Sequence, residues 1–300
     1  MAKTGKKYKM DKRLTVFTPT YNRAYSLPQV YESLCSQTSK DFVWLVVDDG
    51  STDNTRELME RWQAEGRVDI DYHYQQNAGK ARAHNAGARL CHTELFVCLD
   101  SDDYLASPEV IHDTLSFWDD NAGVASLPTT SGMVSYKQIV NKQRGNFPPG
   151  VKLTSLSKLN ESYRGETTLM FKTDVLRKYP FPVPEGEKFM TEAYAYNQMD
   201  QHYQLLVFPY DSQTCEYRDD GITSNGWDVL FKNPKSYRMY YNQCIELNMG
   251  SKVYNMRMYI ACSKLAADGK TFSSSSSKLL LLALYPLGIY QYYKLRRRKW

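Results

Sequence analysis

The sequence predicts an α/β fold with a mostly parallel central sheet and helices on both faces, followed by a helical C-terminal extension. Short β-rich runs alternate with helical patterns over the first 120 residues, and polar residues cluster where three of these runs end. A chain of 300 residues with 42% hydrophobic content is long enough to bury a core, as one large domain or two small ones.

The first two strand–helix pairs lie in residues 14–66. The run LTVFT (14–18) is rich in β-branched residues, and SLPQVYESLCSQ (26–37) follows it with apolar residues at helical spacing. The run FVWLVVD (42–48) is apolar throughout, as expected of a strand that is covered on both faces. TDNTRELMERWQAEG (52–66) then predicts a second helix with its apolar residues on one side.

Two further pairs complete the alternation. IDYHYQ (70–75) and ELFVCLD (94–100) predict strands, and AGKARAHNAGARLC (78–91) and SPEVIHDTLSFWDD (107–120) predict helices. Because strands that are joined by helical crossovers pair in parallel, this alternation predicts the mostly parallel sheet.

Three predicted strands end in unusual polar segments: TPTYNR after the first, DDGSTDNT after the second and DSDD after the last. In such folds the carboxyl ends of the strands line the ligand crevice. No G-x-G-x-x-G follows a strand and no G-x-x-x-x-G-K-[ST] occurs, so nucleotide recognition by these two routes is unsupported.

The last of these segments crowds Asp100, Asp102 and Asp103 together, where carboxylates repel one another unless a positive charge lies among them. An EF-hand does not explain the cluster, because Tyr104 and Leu105 stand where an acidic ligand and a glycine belong. An aspartyl-nucleophile phosphatase, helix-capping carboxylates and a site for Mg²⁺ or Mn²⁺ with a substrate's phosphates remain as explanations.

The positive charge of the chain is concentrated at its two ends. Residues 1–13 and 294–299 each carry a net charge of +5, so the body between them carries −5 although the whole chain carries +5. An acidic body argues against a nucleic-acid-binding face. Basic ends suit contact with an anionic surface such as a bilayer, with solvated tails that have no role as the alternative.

The C-terminal segment KLLLLALYPLGIYQYYKLRRRKW (278–300) is apolar and aromatic before it becomes basic. It is short for a membrane span, which needs roughly 20 apolar residues. An amphipathic segment at the membrane surface is the preferred interpretation, and a helix that packs on the core is the alternative.

The six cysteines form no C-x-x-C pair, and the basic N-terminus is not followed by the apolar run of a signal peptide. We therefore expect a cytoplasmic protein, peripheral at the inner face of the cell membrane.

The segment TPTYNRAYSLPQVYESLCSQTSKDFVWLVVDDGSTDNT, followed by NAGKARAHNAG and LDSDDYLASP, resembles the family 2 glycosyltransferases of the GT-A fold. The motifs occur in the same order and spacing over about 14–120. The resemblance implies transfer of a sugar from a nucleotide diphosphate sugar, usually a UDP-sugar, with inversion at the anomeric carbon.

The resemblance also implies which residues bind the donor: Pro19, Thr20, Tyr21, Arg23, Asp49, Asn77, Gly79, Lys80, Asp100 and Ser101. Asp49 would accept a hydrogen bond from the uracil imide N–H, and Lys80 would offer a point charge to phosphate. His84 stands where the family often has Arg, so this chain departs from the pattern there.

The metal ligands implied by the resemblance are Asp102, Asp100 and Asp103, for Mn²⁺ or Mg²⁺. Asp102 is the first choice for direct coordination. Asp100 would bind ribose or metal, and Asp103 stays open between metal and structure.

Attack by an acceptor hydroxyl needs a general base from the second half of the chain. Glu192 stands where the family commonly has an acidic pair before a helix, with Thr191 at the other place, and Glu187 is the fallback. A helix-start acid that is stabilised by the dipole is the alternative role of Glu192. YRDDGITSN (217–225) resembles a loop near acceptor or diphosphate in part of the family, or is a plain turn.

The expected domains are a basic tail (1–13), a GT-A domain (14–230) and a helical extension (231–300) with the membrane-surface segment. Residues 14–120 would bind the nucleotide sugar, and 121–230 would bind the acceptor and supply the base.

The expected function is metal-dependent transfer of a hexosyl or N-acetylhexosaminyl group to a hydroxyl of a glycan or lipid-linked acceptor, in cell-surface polysaccharide synthesis. No nucleic-acid partner is expected. The alternatives are a non-catalytic relative that binds nucleotide or glycan, and an aspartyl-nucleophile phosphatase.

Overall fold

The computed structural model describes residues 12–216 and 226–298, without the side chain of Arg298. Most of the basic N-terminal tail and the segment YRDDGITSN (217–225) lie outside the described residues. The chain divides into two compact units, namely Met1–Pro180 with Asn197–Glu216, and Phe181–Tyr196 with Tyr217–Trp300. The domain limits given above stay a prediction.

The described ranges contain one sheet of nine strands. These are β1 (Leu14–Thr20), β2 (Phe42–Asp48), β3 (Ile70–Tyr74), β4 (Leu95–Cys98), β5 (Asp103–Leu105), β6 (Thr130–Ile139), β7 (Leu153–Thr154), β8 (Thr167–Lys172) and β9 (Gln204–Cys215). The strand order is β3-β2-β1-β4-β8-β6-β9-β5, and β7 pairs with β9.

The same ranges contain twelve helices. These are α1 (Leu27–Cys35), α2 (Thr55–Glu65), α3 (Lys80–Leu90), α4 (Val110–Asp120), α5 (Ala122–Ala125), α6 (Leu156–Ser162), α7 (Thr173–Lys178), α8 (Ala193–Asp200), α9 (Gly226–Lys232), α10 (Pro234–Glu246), α11 (Lys252–Ala266) and α12 (Lys278–Arg298).

Strands β3, β2, β1 and β4 pair in parallel, as the alternation of strands and helices predicts. The limits of β2 are those expected. Strand β1 runs past its expected end, through Pro19 to Thr20. Pro19 is tolerated because β4 pairs with β1 only as far as Phe17, so β1 has an unpaired edge from that point.

Helices cover both faces of this parallel part, as predicted. On one face Val16, Trp44 and Val97 share a core with buried residues of α1, α2 and α4. On the other face the rings of Phe17 and Phe96 stack with 5.1 Å between their centroids, and α3 lies over them. The apolar β2 sequence is thus explained by burial on both sides.

The second part of the sheet is mixed. Strand β8 enters antiparallel between β4 and β6, and β6 pairs in parallel with β9. The short strand β5 leaves the acidic cluster and pairs antiparallel with β9, with Asp103 opposite Cys215. In the β6–β9 register Lys137 lies opposite Gln213. The predicted α/β class with a helical C-terminus is confirmed.

The helices of the second unit form their own core. Helix α12 packs one face against α11, with Leu281 and Leu295 buried. Gly288 lies so close to Ile260 that an added Cβ would be 2.5 Å from the Cβ of Ile260. One face of the C-terminal segment is therefore a core-packing face. Within the described ranges, no helix has the length and apolar character that crossing a membrane requires.

A glycine substitution tests how closely α3 lies on β1. A Cβ added at Gly87 would be 2.4 Å from a ring carbon of Phe17, whereas a Cβ added at Gly123 would meet nothing within 4 Å. We expect Gly87→Ala to lower the free energy of unfolding by about 1–3 kcal/mol, because the core is overpacked. Gly123→Ala is the control, expected to be neutral or stabilising by up to about 1 kcal/mol. Equal urea midpoints for the two variants would contradict the close contact between Gly87 and Phe17.

Candidate functional site

The carboxyl ends of β1, β2 and β4 meet at one edge of the sheet. The parallel register pairs Thr20 with Asp48, and Phe17 with Cys98, three residues before the end of β1. The backbone N–H of Asp49 donates to the carbonyl of Thr20 at 2.8 Å. The polar segments that follow the three strands are therefore brought together, as the sequence predicts.

Asp49 anchors the segment that leads into α3. Its buried carboxylate accepts hydrogen bonds from Gln75 Nε2 (2.7 Å) and from the backbone N–H groups of Ala78 (2.8 Å) and Gly79 (2.7 Å). Asn77 Nδ2 donates to the Asp49 carbonyl at 2.8 Å. Three of the predicted donor-binding residues thus form one hydrogen-bonded unit. A carboxylate has about four acceptor positions, so Asp49 can accept one more donor.

Asp48 closes the turn that follows β2. Its carboxylate accepts hydrogen bonds from the N–H of Ser51 at 2.8 Å and from the hydroxyl of Tyr72 at 2.7 Å. Burial, together with this bond to Asp48, raises the pKa of Tyr72 above its usual value. Asp48 therefore stabilises this turn, whereas Asp49 faces the segment 75–79 that leads into α3.

The predicted residues after β1 differ in exposure. Thr20 is buried, and its Oγ1 has no hydrogen-bond partner among the described residues. The ring of Tyr21 is half exposed, and the guanidinium of Arg23 donates to the hydroxyl of Tyr25. Pro19 lies within β1. An exposed ring beside a buried, unpartnered hydroxyl suits a ligand that stacks and also hydrogen-bonds.

Asn22 holds the loop after β1 against the loop after β2, and the sequence did not single it out. It has a left-handed φ of 53°, its N–H donates to Ser51 Oγ at 2.9 Å, and its Oδ1 accepts from the N–H of Thr52 at 2.7 Å. Asp53 accepts from the N–H of Ala24 at 3.0 Å. The signal was present in the TYNR and DGSTD motifs, since Asn tolerates this conformation and Ser, Thr and Asp bond to loop backbone.

Lys80 is the first counter-ion of the acidic cluster. Its ammonium lies 2.9 Å from Asp100 Oδ1 and 3.1 Å from Oδ2. Burial alone would raise the pKa of Asp100, but the ammonium groups of Lys80 and Lys137 outweigh it and hold the pKa well below its usual range. Two predicted donor-binding residues are therefore directly paired.

Lys137 is the second counter-ion, which the sequence did not indicate. It extends from β6 and forms an ion pair with the buried carboxylate of Asp103. Burial raises the pKa of Asp103 to about 6, and repulsion from Asp100 adds to the rise while Lys137 opposes it. At neutral pH this pair consists of an ammonium and a carboxylate. The sequence around Lys137, TSGMVSYKQI (130–139), mixes polar and apolar residues and gives no signal for this contact.

Asp102 is the open carboxylate of the cluster. It is half buried, and it makes no hydrogen bond or ion pair with residues 12–216 or 226–298. The neighbouring Ser101 is buried, and its carbonyl accepts from Ser26 Oγ at 2.7 Å. This hydrogen bond holds the backbone of the turn in place, and the carboxylate of Asp102 remains able to accept a further partner.

In the described part of the chain, no three His, Cys, Asp or Glu side chains come close enough to hold a metal ion. The three aspartates therefore do not converge on one point, and the pairing of Asp103 with Lys137 favours its structural role. A Mg²⁺ or Mn²⁺ ion that binds through one or two carboxylates, waters and phosphates does not need a third protein ligand. Asp102 and Asp100 offer the carboxylate oxygens that such an ion prefers, and the ammonium of Lys80 contacts both oxygens of Asp100 in this structure.

The two candidate bases belong to the second unit and have different surroundings. Glu187 is buried, and its carboxylate accepts from the N–H groups of Lys235 (2.7 Å) and Ser236 (2.8 Å) and from Ser236 Oγ (2.6 Å). It thereby caps the N-terminus of α10. Glu192 is exposed immediately before α8, and its carbonyl accepts from the N–H groups of Ala195 (3.1 Å) and Tyr196 (3.2 Å).

His84 belongs to the core. It is buried on α3, with its ring 5.4 Å from the centroids of both Phe17 and Phe96. The departure from Arg at this position therefore places an aromatic ring in the core beneath α3.

Residues 15–180, more than half of the chain, match the family model described as glycosyl transferase family 2. Validoxylamine A glucosyltransferase of Streptomyces hygroscopicus subsp. jinggangensis is 40% identical over 107 residues, which cover 34% of this chain and 25% of that protein. Chondroitin synthase of Escherichia coli is 33% identical over 135 residues, 45% of this chain and 19% of that protein. The chain spans a quarter or less of the length of these relatives.

Solved structures share the fold at low identity. S. aureus TarS 1-349 in complex with UDP-GlcNAc has a TM-score of 0.58 at 17% identity, over 95% of this chain and 90% of that chain. The mannosyltransferase PcManGT from Pyrobaculum calidifontis, in complex with GDP-Man and Mn²⁺, has a TM-score of 0.54 at 16% identity, over 95% and 82% of the two chains. The family model and the shared fold agree, and the chain belongs to glycosyltransferase family 2, with the GT-A fold.

Proposed function

We propose that this chain transfers a hexosyl or N-acetylhexosaminyl group from a UDP-sugar to a hydroxyl of a glycan or lipid-linked acceptor, with inversion. The observation that carries the proposal is the open carboxylate of Asp102, at the same sheet edge as Asp49, Lys80 and Thr20. UDP-GlcNAc in TarS and GDP-Man with Mn²⁺ in PcManGT are consistent with such a donor and a divalent cation.

The donor groups find chemically matched partners at this edge. The exposed ring of Tyr21 suits stacking with the base, Asp49 has acceptor capacity for the uracil imide, and the ammonium of Lys80 suits a phosphate oxygen. A bound Mn²⁺ or Mg²⁺ at Asp102 and Asp100 would neutralise the charge that develops on the departing diphosphate. Arg23, Asn77, Gly79 and Ser101 would shape the surrounding loops.

Glu192 is the proposed general base. Its exposure leaves it accessible to an acceptor hydroxyl, whereas the carboxylate of Glu187 is already used by three donors at the start of α10. A base must come within hydrogen-bond reach of the proton that it removes. The capping contacts therefore make Glu187 the weaker choice.

The main rival is a non-catalytic relative that binds the nucleotide or the glycan. Hydrolysis of a UDP-sugar in the presence of Mn²⁺, and its loss with EDTA, would distinguish an enzyme from such a relative. A panel of nucleotide sugars, screened by thermal stabilisation, would identify the donor because a ligand that binds the folded state raises the melting temperature. An aspartyl-nucleophile phosphatase is disfavoured by the family assignment.

The Asp102→Asn variant tests the proposed metal ligand. The amide removes the charge while keeping the shape, so we expect Mn²⁺-dependent UDP binding to weaken about tenfold or more. Isothermal titration of UDP with and without Mn²⁺ measures this. Asp120→Asn, at an exposed position at the end of α4, is the control and should bind as the parent chain does. Unchanged Mn²⁺-dependent binding in Asp102→Asn would remove this residue from the site.

The Glu192→Gln variant tests the proposed base. Loss of a general base lowers rates by about 10²–10⁴-fold, so we expect kcat to fall by this factor while the donor KM changes little. Glu185→Gln, an exposed acid on the same loop, is the matched control. Normal turnover by Glu192→Gln would exclude the assignment, and steady-state kinetics with the identified donor and acceptor measures both variants.

The outer face of α12 supports a peripheral position at an anionic membrane. This face consists of Leu279, Leu282, Leu287, Tyr290 and Tyr293, all exposed and spaced by three to five residues along one side of the helix. The basic residues Lys294, Arg296 and Arg297 follow. Leu and Tyr side chains insert at the acyl–headgroup boundary, and Lys and Arg contact lipid phosphates. A bilayer surface therefore matches both the apolar and the charged part of the face.

An outer-face variant that combines Leu282→Gln, Leu287→Gln and Tyr290→Gln tests this contact without removing the packed inner face. We expect it to lose co-sedimentation with vesicles that contain anionic phosphatidylglycerol, while the parent chain binds them and binds neutral phosphatidylcholine vesicles less well. The control combines Leu127→Gln and Val151→Gln, exposed apolar positions of the first unit. Unchanged co-sedimentation of the outer-face variant would overturn the proposal.

A further inference from the structure

The two lysine–aspartate pairs of the acidic cluster differ in how firmly they are held. Lys137 and Asp103 have side-chain exposures of only 17% and 5%, and both extend from strands of the sheet. Lys80 and Asp100 have exposures of 33% and 32%, and Lys80 is the first residue of α3. A buried pair is costly to separate, whereas a partly exposed pair exchanges partners readily. The first pair is therefore fixed, and the second can open.

The Lys80–Asp100 pair uses the carboxylate that a divalent cation would need. Both Asp100 oxygens lie within 3.1 Å of the ammonium, so a cation that approaches Asp102 meets a positive charge beside it. Like charges at such distances repel strongly where water is partly excluded. In the form with Lys80 on Asp100, the cluster should bind a divalent cation weakly.

A diphosphate competes with Asp100 for Lys80, because it offers the ammonium more negative charge than one carboxylate does. When Lys80 turns to the diphosphate, Asp100 loses the ammonium that is paired with it. Asp100 and Asp102 would then be the carboxylates that hold a divalent cation, whose charge would balance theirs. We propose that Lys80 is an exchangeable counter-ion that couples cation binding to diphosphate binding, and this inference rests on the proposed function.

The two possible roles of Lys80 predict different effects of its removal on the affinity for cation alone. If Lys80 served only to bind phosphate, its removal would weaken UDP binding and leave the affinity for cation alone unchanged. If it also blocks Asp100, its removal must tighten the binding of cation alone. Coupling between two ligands is reciprocal, so UDP should raise the cation affinity by the factor by which the cation raises the UDP affinity.

The experiment measures Mn²⁺ binding to the full chain without nucleotide, from the electron paramagnetic resonance signal of free Mn²⁺, and repeats it with saturating UDP. We expect UDP to tighten Mn²⁺ binding to the parent chain by about tenfold or more, within the usual range of coupling between sites. In Lys80→Met we expect Mn²⁺ alone to bind several-fold more tightly than in the parent chain, and the effect of UDP to shrink.

Two further variants control the charge and the fold. Lys80→Arg keeps a cation on Asp100 and should keep the weak binding of Mn²⁺ alone. Lys12→Met removes a lysine that pairs with an aspartate of similar chemistry outside the site, Asp69 at 3.4 Å, and should leave Mn²⁺ binding unchanged. Thermal melting shows that each variant is folded.

Equal Mn²⁺ affinity of Lys80→Met and the parent chain, or the same tightening in Lys12→Met, would overturn the coupling. Sugar transfer by the parent chain without any effect of UDP on Mn²⁺ binding would also overturn it, while leaving the proposed function intact. Coupled Mn²⁺ and UDP binding without transfer from any nucleotide sugar would leave the coupling intact and refute the function.

Discussion

The parallel register of β1 with β2 and with β4 is the constraint on which the candidate site depends. It brings three strand ends to one edge of the sheet, so that the polar segments after β1, β2 and β4 become neighbours although they are far apart in the chain. The carboxylate of Asp49 then fixes the start of α3 through the N–H groups of Ala78 and Gly79, and the close contact of Gly87 with Phe17 fixes the body of that helix. Lys80 is positioned by both constraints, one at the start of the helix and one within it. A shift of β1 by one residue would exchange the two faces of the strand and dissolve this arrangement.

Charge balance organises the acidic cluster. Three carboxylates within four residues would repel one another at the end of a buried strand. Two lysines from elements far apart in the chain form ion pairs with two of them. The pairing leaves Asp102 as the carboxylate of the cluster that makes no hydrogen bond or ion pair within the described residues. The two pairs differ in burial: Lys137 and Asp103 are buried beside the strand pairing of β5, whereas Lys80 and Asp100 are partly exposed, as the proposed exchange of Lys80 requires.

The local features of the first 120 residues were predictable from the sequence, because each depends on neighbours along the chain. The apolar run of β2, the helical spacing in α2 and the polar strand ends are of this kind. Lys137 was not predictable, since its contact with Asp103 arises from the pairing of β5 and β6 with opposite sides of β9. The capping of α10 by Glu187 likewise joins residues almost fifty positions apart, and no periodic pattern encodes it.

The C-terminal helix shows a different limit of sequence patterns. Segment 278–293 is apolar on nearly every side and contains one charged residue, so hydropathy alone does not distinguish a core face from a membrane face. The packing on α11 makes the distinction. Gly288 permits the closest approach to Ile260, and this contact turns Leu281 and Leu295 inward and leaves Leu282, Leu287 and Tyr290 outside. A helix with two apolar faces needs two partners, because water is a poor solvent for an exposed apolar stripe. Helix α11 covers one face. The proposed anionic membrane surface would cover the other, where basic residues follow the stripe.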